Sequence, residues 1–401
     1  MKRNEVHLPL ATACAMLVVI LFAMSTRAIA QKESTIYNLG AGDCANLQAG
    51  VTADSSGNLY AASSEFVCEF IQAGGTWTEK TLYEFTTDEE ALGGLTLDAT
   101  GNLYGPTIAG RTGDAGTIFK LTPTASGEWT EEILFTFPLG GARGNSPYGK
   151  PVFDGAGNLY GTTAYGGAYG TQAGSIGGTV FELIPQPSGP WKEKVLHSFG
   201  NGADGAALYG GVIFDSAGNL YGVTNLGGTF GEGIAFELTP HSNGTWTETI
   251  LHNFGSGTDG QQPYYSLVSD SAGNLYGTTN GGGTNGVGTA YELIRQAGGG
   301  WKEKILNNFS AMSFPLAPLI FDHAGNLYGT TFTGGHFNDG TAYELVPHGK
   351  NWTEKVIHNF GNGSDGSGPL SYLGIDAAGN IYGATLTGGT SNDGTLFEIA
   401  P

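Results

Sequence analysis

Charge is scarce in this chain and falls mostly on one side. Of 401 residues only 13% are Asp, Glu, Lys or Arg, and 36 acidic residues face 16 basic ones, for a formal net charge of −20. So few cations cannot neutralise a phosphate backbone or an anionic membrane surface, which excludes nucleic acid and such membranes as partners. Cysteine is also rare, with only three. Helical periodicity is missing: no stretch after residue 30 keeps apolar residues at i, i+3 and i+4. The usual catalytic signatures are missing too. There is no Gly-x-Ser-x-Gly elbow and no His-Glu-x-x-His pair. Residues 281–286 fit Gly-x-Gly-x-x-Gly literally, but no helix pattern follows to hold a pyrophosphate, so the match is accidental.

What is abundant is glycine, 69 residues, spaced between apolar and aromatic segments that make up 40% and 11% of the chain. Glycine at fixed places between such segments reads as turns in an ordered array rather than as a disordered linker. The first thirty residues stand apart. Lys2 and Arg3 precede an uncharged, mostly apolar run over 8–24, and Ala28-Ile29-Ala30 offers the small-x-small site of a signal peptidase before Gln31. Residues 1–30 are therefore expected to be a cleaved signal peptide, the alternative being an uncleaved membrane anchor. Cleavage removes Lys2, Arg3, Arg27 and Glu5, leaving a mature charge of −22 and a secreted or periplasmic protein with no membrane contact. Cys14 leaves with the leader. Cys44 and Cys68 remain, either as a disulfide, which the compartment permits, or as two separate buried thiols.

Gly-Asn-Leu-Tyr, with Ile for Leu in the last copy, occurs seven times, ending at Tyr60, Tyr104, Tyr160, Tyr221, Tyr276, Tyr328 and Tyr382. A period near fifty residues suits four short strands with their turns, the unit of a propeller blade. In the sixth copy the spacing predicts strand A over 316–321, a hairpin turn at Asp322-His323-Ala324-Gly325-Asn326, strand B over 327–331, a glycine-rich loop, strand C over 341–346 and strand D over 352–360. The mature chain opens with a strand-D sequence over 34–40 and closes with a strand-C sequence over 395–399. The first strand should therefore complete the last blade and close the ring, leaving no blade edge unfinished. The expected fold is all-β: one domain over 31–401, a seven-bladed β-propeller of four antiparallel strands per blade. The first copy lacks the glycine-rich loop between strands B and C, and the third has the longest.

Gly-Thr-Ala-Tyr-Glu-Leu, Val-Ile-His-Asn-Phe-Gly-Asn-Gly-Ser-Asp-Gly and Asp-x-x-Gly-Asn-Leu-Tyr-Gly-Thr-Thr carry a resemblance to the bacterial choice-of-anchor tandem-repeat proteins named for the GloVer repeat. It covers nearly all of residues 33–401. The resemblance implies no catalytic residues.

Strand alternation puts the D-to-A and B-to-C loops on one face, called the top. Asp43, Asp88, Asp204, Asp259 and Asp365 sit in D-to-A loops, and Asp114, Glu232, Asp339 and Asp393 in B-to-C loops. Oxygen-rich loops of this kind can take Ca²⁺, with Asp204, Asp259 and Asp365 as the candidates; Asp-Gly pairs also simply make tight turns, and the expectation is that no cofactor is needed. Tyr148, Tyr209 and Tyr264 lie six residues before the strand-A aspartate in three successive blades. They should form an arc at the channel mouth, with Tyr265, Tyr165 and Tyr169 nearby, where a flat ligand such as a sugar could stack. Blade-to-blade packing is the competing role, since Leu92, Leu316 and Leu370 hold the same place elsewhere. His197, His252 and His358 recur in strand D on separate blades, where packing is expected. The function expected from all this is a monomeric, non-catalytic binding or scaffold module with a small-molecule, glycan or protein ligand on the top face. The alternatives are an extracellular polysaccharide-active enzyme using top-face carboxylates, and a structural surface protein.

Overall fold

The computed structural model describes residues 31–40, 44–85, 89–109, 114–170, 176–310 and 312–400. The leader over 1–30, Asp43 and Asp88 lie outside them. The described residues form seven antiparallel blades of four main strands, with a short extra strand in blades 3 and 5 and a short extra pair in blades 4 and 7. Blade 1 runs Val51–Ala53, Leu59–Ala62, Phe66–Ala73 and Thr76–Glu84 as strands A to D. Blade 6 runs Ile320–Phe321, Leu327–Thr331, Thr341–His348 and Asn351–Asn359. Strand B agrees with the sequence reading to the residue, whereas strand A is four residues shorter. Strand A is equally short, two residues, in blades 2 to 7 whatever residue precedes it, and the chain before it runs along the central channel.

Each A-to-B hairpin is tied by its aspartate. In blade 6, Asp322 Oδ1 accepts the Ala324 and Asn326 amides, each at 2.8 Å, and Oδ2 accepts Asn326 Nδ2 at 2.8 Å. Gly325 takes φ +88°, which glycine adopts without strain. The repeat tyrosine donates nearby: Tyr328 Oη lies 3.4 Å from Asp322 and 3.0 Å from Glu344 of strand C.

The glycine after each repeat tyrosine has a packing cause. In blade 3, Gly161 pairs with Phe181 across the sheet, and a Cβ on that glycine would lie 2.5 Å from the Phe181 ring. Blades 2, 4, 5, 6 and 7 repeat the pair with Phe119, Phe236, Tyr291, Tyr343 and Phe397. Blade 1 departs: Ala61 stands for the glycine and faces Cys68. Cys68 is joined to Cys44, with 6.1 Å between Cα atoms. A disulfide thus fills the place that a ring fills elsewhere. It ties the link leaving the N-terminal strand to the sheet of blade 1.

Blades join through seven apolar cores, one at each seam. The tryptophan opening strand D of one blade meets the repeat tyrosine of the blade before, as Trp246 does with Tyr160 at 6.4 Å and Trp301 with Tyr221 at 6.1 Å. The seam between blades 7 and 1 obeys the same rule, with Trp77 against Tyr382 at 6.0 Å. Blade 7 takes its outer strand, Lys32–Asn38, from the start of the chain, paired antiparallel with Thr395–Ala400. That strand lies two residues earlier than the sequence pattern placed it.

Candidate functional site

Six residues before each strand-A aspartate the chain reaches the upper mouth of the channel, and four residues before it reaches the channel's waist. The waist positions are Gly50, Gly94, Lys150, Gly211, Ser266, Pro318 and Tyr372. Three glycines leave room there for two long side chains. Tyr372 of blade 7 crosses the axis: its hydroxyl lies 3.2 Å from Ser266 Oγ of blade 5, and that Oγ accepts the Gly211 amide of blade 4 at 2.8 Å. A Cβ on Gly50 would lie 2.5 Å from Tyr372 Cβ, and Gly50 holds φ +86°, so blade 1 must have glycine. Lys150 of blade 3 runs past Gly94 to donate to Thr52 Oγ1 of blade 1 at 3.2 Å. Burial lowers the Lys150 ammonium to about 8, and burial raises the Tyr372 phenol, an effect that hydrogen bonds from Ser266 and the Lys150 and Gly211 amides partly offset. These two residues close the waist and separate an upper mouth from a lower one.

The upper mouth is made of tyrosines. Tyr209 and Tyr264 stack with centroids 4.4 Å apart and planes 4° from parallel. Tyr148 stands edge-on to both, at 5.6 and 6.5 Å. Tyr165, from the end of strand B in blade 3, shares a 2.8 Å hydroxyl–hydroxyl hydrogen bond with Tyr209 and is 39% exposed. Tyr265 packs on Tyr264 at 4.9 Å and on the waist residue Tyr372 at 6.0 Å. Six phenol rings from four blades form one continuous cluster, half-buried apart from Tyr165. Burial pushes the phenols of Tyr148, Tyr209, Tyr264 and Tyr265 upward, so they stay neutral hydrogen-bonding groups at any physiological pH.

The structure therefore brings together five of the six tyrosines singled out by sequence. The arc is not three separate platforms, because the rings pack on one another. Tyr169 is the exception. It sits 48% exposed by the blade 3–4 seam, beside His197, Asn201 and Asp204. Its glycine-rich loop carries it outward rather than over the channel. Sequence reasoning missed Tyr372 and Lys150. The signal was present: at their repeat position the other blades carry only Gly, Ser or Pro.

The lower mouth is different in kind. A cavity of about 180 Å³ is lined by Val152, Ile213, Val268, Ile320 and Leu373, with Tyr372 and Lys150 at its inner end.

The three aspartates considered for Ca²⁺ are not free loop ligands. Each meets the strand-D histidine seven residues before it and a glutamate of the next blade. His197 Nε2 lies 3.3 Å from Asp204 Oδ2 and 3.8 Å from Glu248; His252 Nε2 lies 2.9 Å from Asp259 and 3.9 Å from Glu303. His358 uses both nitrogens, Nε2 to Asp365 at 2.7 Å and Nδ1 to Glu33 at 3.3 Å. The histidines thus pack edge-on against the strand-D phenylalanines, as expected, and are also polar links between blades. They are three unconnected clusters, because the glutamate comes from the next blade each time. Burial raises Glu248 and Glu33 to about 7, and burial with a hydrogen bond to Asp259 raises Glu303 to about 9.

No helix among the described residues is long and apolar enough to cross a membrane. Fold and site together define a seven-bladed β-propeller whose channel is closed at the waist and capped on one side by tyrosine. The chain belongs to the Gloeobacter/Verrucomicrobia repeat family, whose sequence profile matches residues 169–397. No curated protein matches it in sequence. Among solved structures it is similar to the extracellular domain of a hybrid two component system from B. thetaiotaomicron, at 15% identity and a TM-score of 0.57. That match covers 91% of this chain, which spans only 39% of the other. It is also similar to a chain of the mitotic checkpoint complex, at 12% identity and TM-score 0.56 over 100% and 97% of the two chains. A protein of unknown function from Dyadobacter fermentans matches at 11% identity and TM-score 0.50 over 92% and 98%. Such distant likeness speaks for the fold alone.

Proposed function

We propose that this protein is an exported, non-catalytic binding module whose upper mouth holds an uncharged glycan. The observation that carries the reading is the continuous cluster of Tyr148, Tyr165, Tyr209, Tyr264, Tyr265 and Tyr372. Tyrosine offers a sugar both a ring face or edge for its C–H groups and a hydroxyl that fixes orientation, at little cost in side-chain entropy. The acidic surface favours a neutral ligand over an anionic one, since a like-signed field repels the latter. The leader-like sequence over 1–30 and the Cys44–Cys68 disulfide are consistent with a place outside the cytoplasm.

The polysaccharide-hydrolase reading has less support. It needs two carboxylates open to one substrate bond, whereas Asp204, Asp259 and Asp365 are each engaged by a histidine and the glutamate beside each is largely buried in the same seam. The test is a panel of neutral and acidic oligosaccharides presented to the mature protein, followed by product analysis of every ligand bound. Binding of neutral members without new products is the expected result. Release of a shortened product, or binding confined to acidic members, would overturn the proposal.

A further inference from the structure

The seam between blades 4 and 5 contains a group of donors with more capacity than its hydrogen bonds use. Strand D of blade 4, Trp246–Asn253, supplies His252; the link to blade 5 supplies Asp259; strand D of blade 5, Trp301–Asn308, supplies Glu303. The imidazole is held edge-on against Phe254 with centroids 4.7 Å apart. Its Nε2 faces Asp259 Oδ2 at 2.9 Å and Glu303 Oε2 at 3.9 Å, and one donor atom from each residue lies within 4.8 Å of the others. Asp259 is only 7% exposed, yet its Oδ1 has no hydrogen-bond partner, and neither does Glu303 Oε1. A buried carboxylate oxygen without a hydrogen bond is costly, and a bound cation would give both of these a partner.

We propose that His252, Asp259 and Glu303 form a binding site for a divalent transition-metal ion such as Zn²⁺ or Mn²⁺. Two carboxylates and a neutral imidazole carry the charge that balances such an ion. Donors held about 2.1 Å from one centre stand roughly 3.0–3.4 Å from each other, and the distances of 2.9 and 3.9 Å found without an ion bracket that range. An imidazole donor and a set of three protein ligands fit a transition metal better than Ca²⁺, which takes six to eight oxygens. Water completes the coordination from the top face. This departs from the Ca²⁺ considered for the loop aspartates, because a histidine and a neighbouring blade, neither visible in a loop motif, supply the other donors.

The other seams rank the site. His197, Asp204 and Glu248 repeat the geometry more loosely, with Nε2 distances of 3.3 and 3.8 Å, and form a second, weaker site. At the blade 6–7 seam one donor atom from each of Glu33, His358 and Asp365 also lies within 4.8 Å of the others, but the short contacts there use Nε2 for Asp365 and Nδ1 for Glu33, unlike the Nε2-only contacts of His252. At the blade 5–6 seam Asn307 takes the histidine's place beside Glu354. That natural replacement makes His252→Asn a substitution the fold already uses.

The mature protein, stripped with EDTA and dialysed, is titrated with ZnCl₂, MnCl₂, CaCl₂ and MgCl₂ by calorimetry and thermal melting. Zn²⁺ or Mn²⁺ should raise the melting temperature by at least about 3 °C at saturation, and Ca²⁺ and Mg²⁺ should not. His252→Asn should melt near the stripped wild type and lose at least tenfold in affinity for the tighter site, while His358→Asn should leave the affinity of that tighter site unchanged. Glu303→Gln is the second variant, with the same expected loss. The proposal is overturned if no transition ion shifts the melt, if Ca²⁺ matches Zn²⁺ and Mn²⁺, or if His252→Asn and Glu303→Gln bind like wild type.

Discussion

The two mouths of the channel are built from the same stretch of the same repeat, only a few residues apart, and are chemically opposed. Above the waist, Tyr148, Tyr209, Tyr264, Tyr265 and Tyr165 present phenols that combine ring surface with hydrogen bonding. Below it, Val152, Ile213, Val268 and Ile320 present aliphatic surface alone. The difference lies in whether the residue belongs to the ladder. Two positions before the strand-A aspartate, side chains belong to the ladder with strand B and follow strand chemistry. Six positions before it, the chain has left the ladder, and the repeat no longer dictates the side chain. Blades 3, 4 and 5 use that freedom for tyrosine, while blades 2, 6 and 7 place Leu92, Leu316 and Leu370 there. A repeat protein can specialise most cheaply where its own hydrogen-bond ladder stops.

Tyr372 keeps the mouths apart, so its removal should have the largest effect. Tyr372→Ala leaves a cavity at the axis and strands Ser266, and should cost about 3–5 kcal/mol of stability in denaturant melts. Tyr372→Phe keeps the ring and loses the hydroxyl's partners, for about 1–2 kcal/mol. If both variants melted like wild type, the waist would not be closed by this ring.

Lys150 makes the second break, and it depends on pH. Burial holds its ammonium at about 8, below the ordinary 10.5. Below pH 8 the charge is present in both folded and unfolded chains, and burying it costs stability. Between about 8 and 10.5 the folded chain sheds the proton while the unfolded chain keeps it, so this cost is relieved as pH rises. Lys150→Met should therefore be more stable than wild type at pH 7, by on the order of 2 kcal/mol, with the advantage shrinking toward pH 10. A difference between the two melts that does not change with pH would contradict the burial of that charge.

Much of this was legible beforehand. Seven Gly-Asn-Leu-Tyr copies and the strand-D sequence at the start of the mature chain point to the blades and to the strand that completes the seventh, because turn chemistry and strand patterns are local. Three tyrosines at one repeat position marked the upper mouth for the same reason. What stayed hidden was contact across the ring. Tyr372 reaches Ser266 over 106 positions of sequence, and Glu303 comes to His252 from another blade. Periodicity says that equivalent residues are far apart, and so it hid the fact that non-equivalent residues, one blade on, touch. Cys68 was hidden differently: it stands in a ring's place, which a pattern of conserved spacing does not reveal.

The smallest stability effect belongs to the most exposed ring of the cluster. Tyr165 is exposed and shares one hydrogen bond with Tyr209, so Tyr165→Ala should cost less than about 1 kcal/mol of stability. A loss above about 3 kcal/mol would make it a core residue and remove it from the site.

The most direct test is a comparison of affinities across the waist for a neutral oligosaccharide that the panel shows to bind. Tyr165→Ala and Tyr209→Ala alter the upper mouth, and Val268→Ala and Ile320→Ala alter the lower. Calorimetry at a temperature well below every melt should find the upper pair weakened by about 10- to 100-fold, the worth of a lost aromatic contact of roughly 1–3 kcal/mol, and the lower pair unchanged. Affinities lost in the lower pair and kept in the upper would contradict the tyrosine mouth as the place of binding.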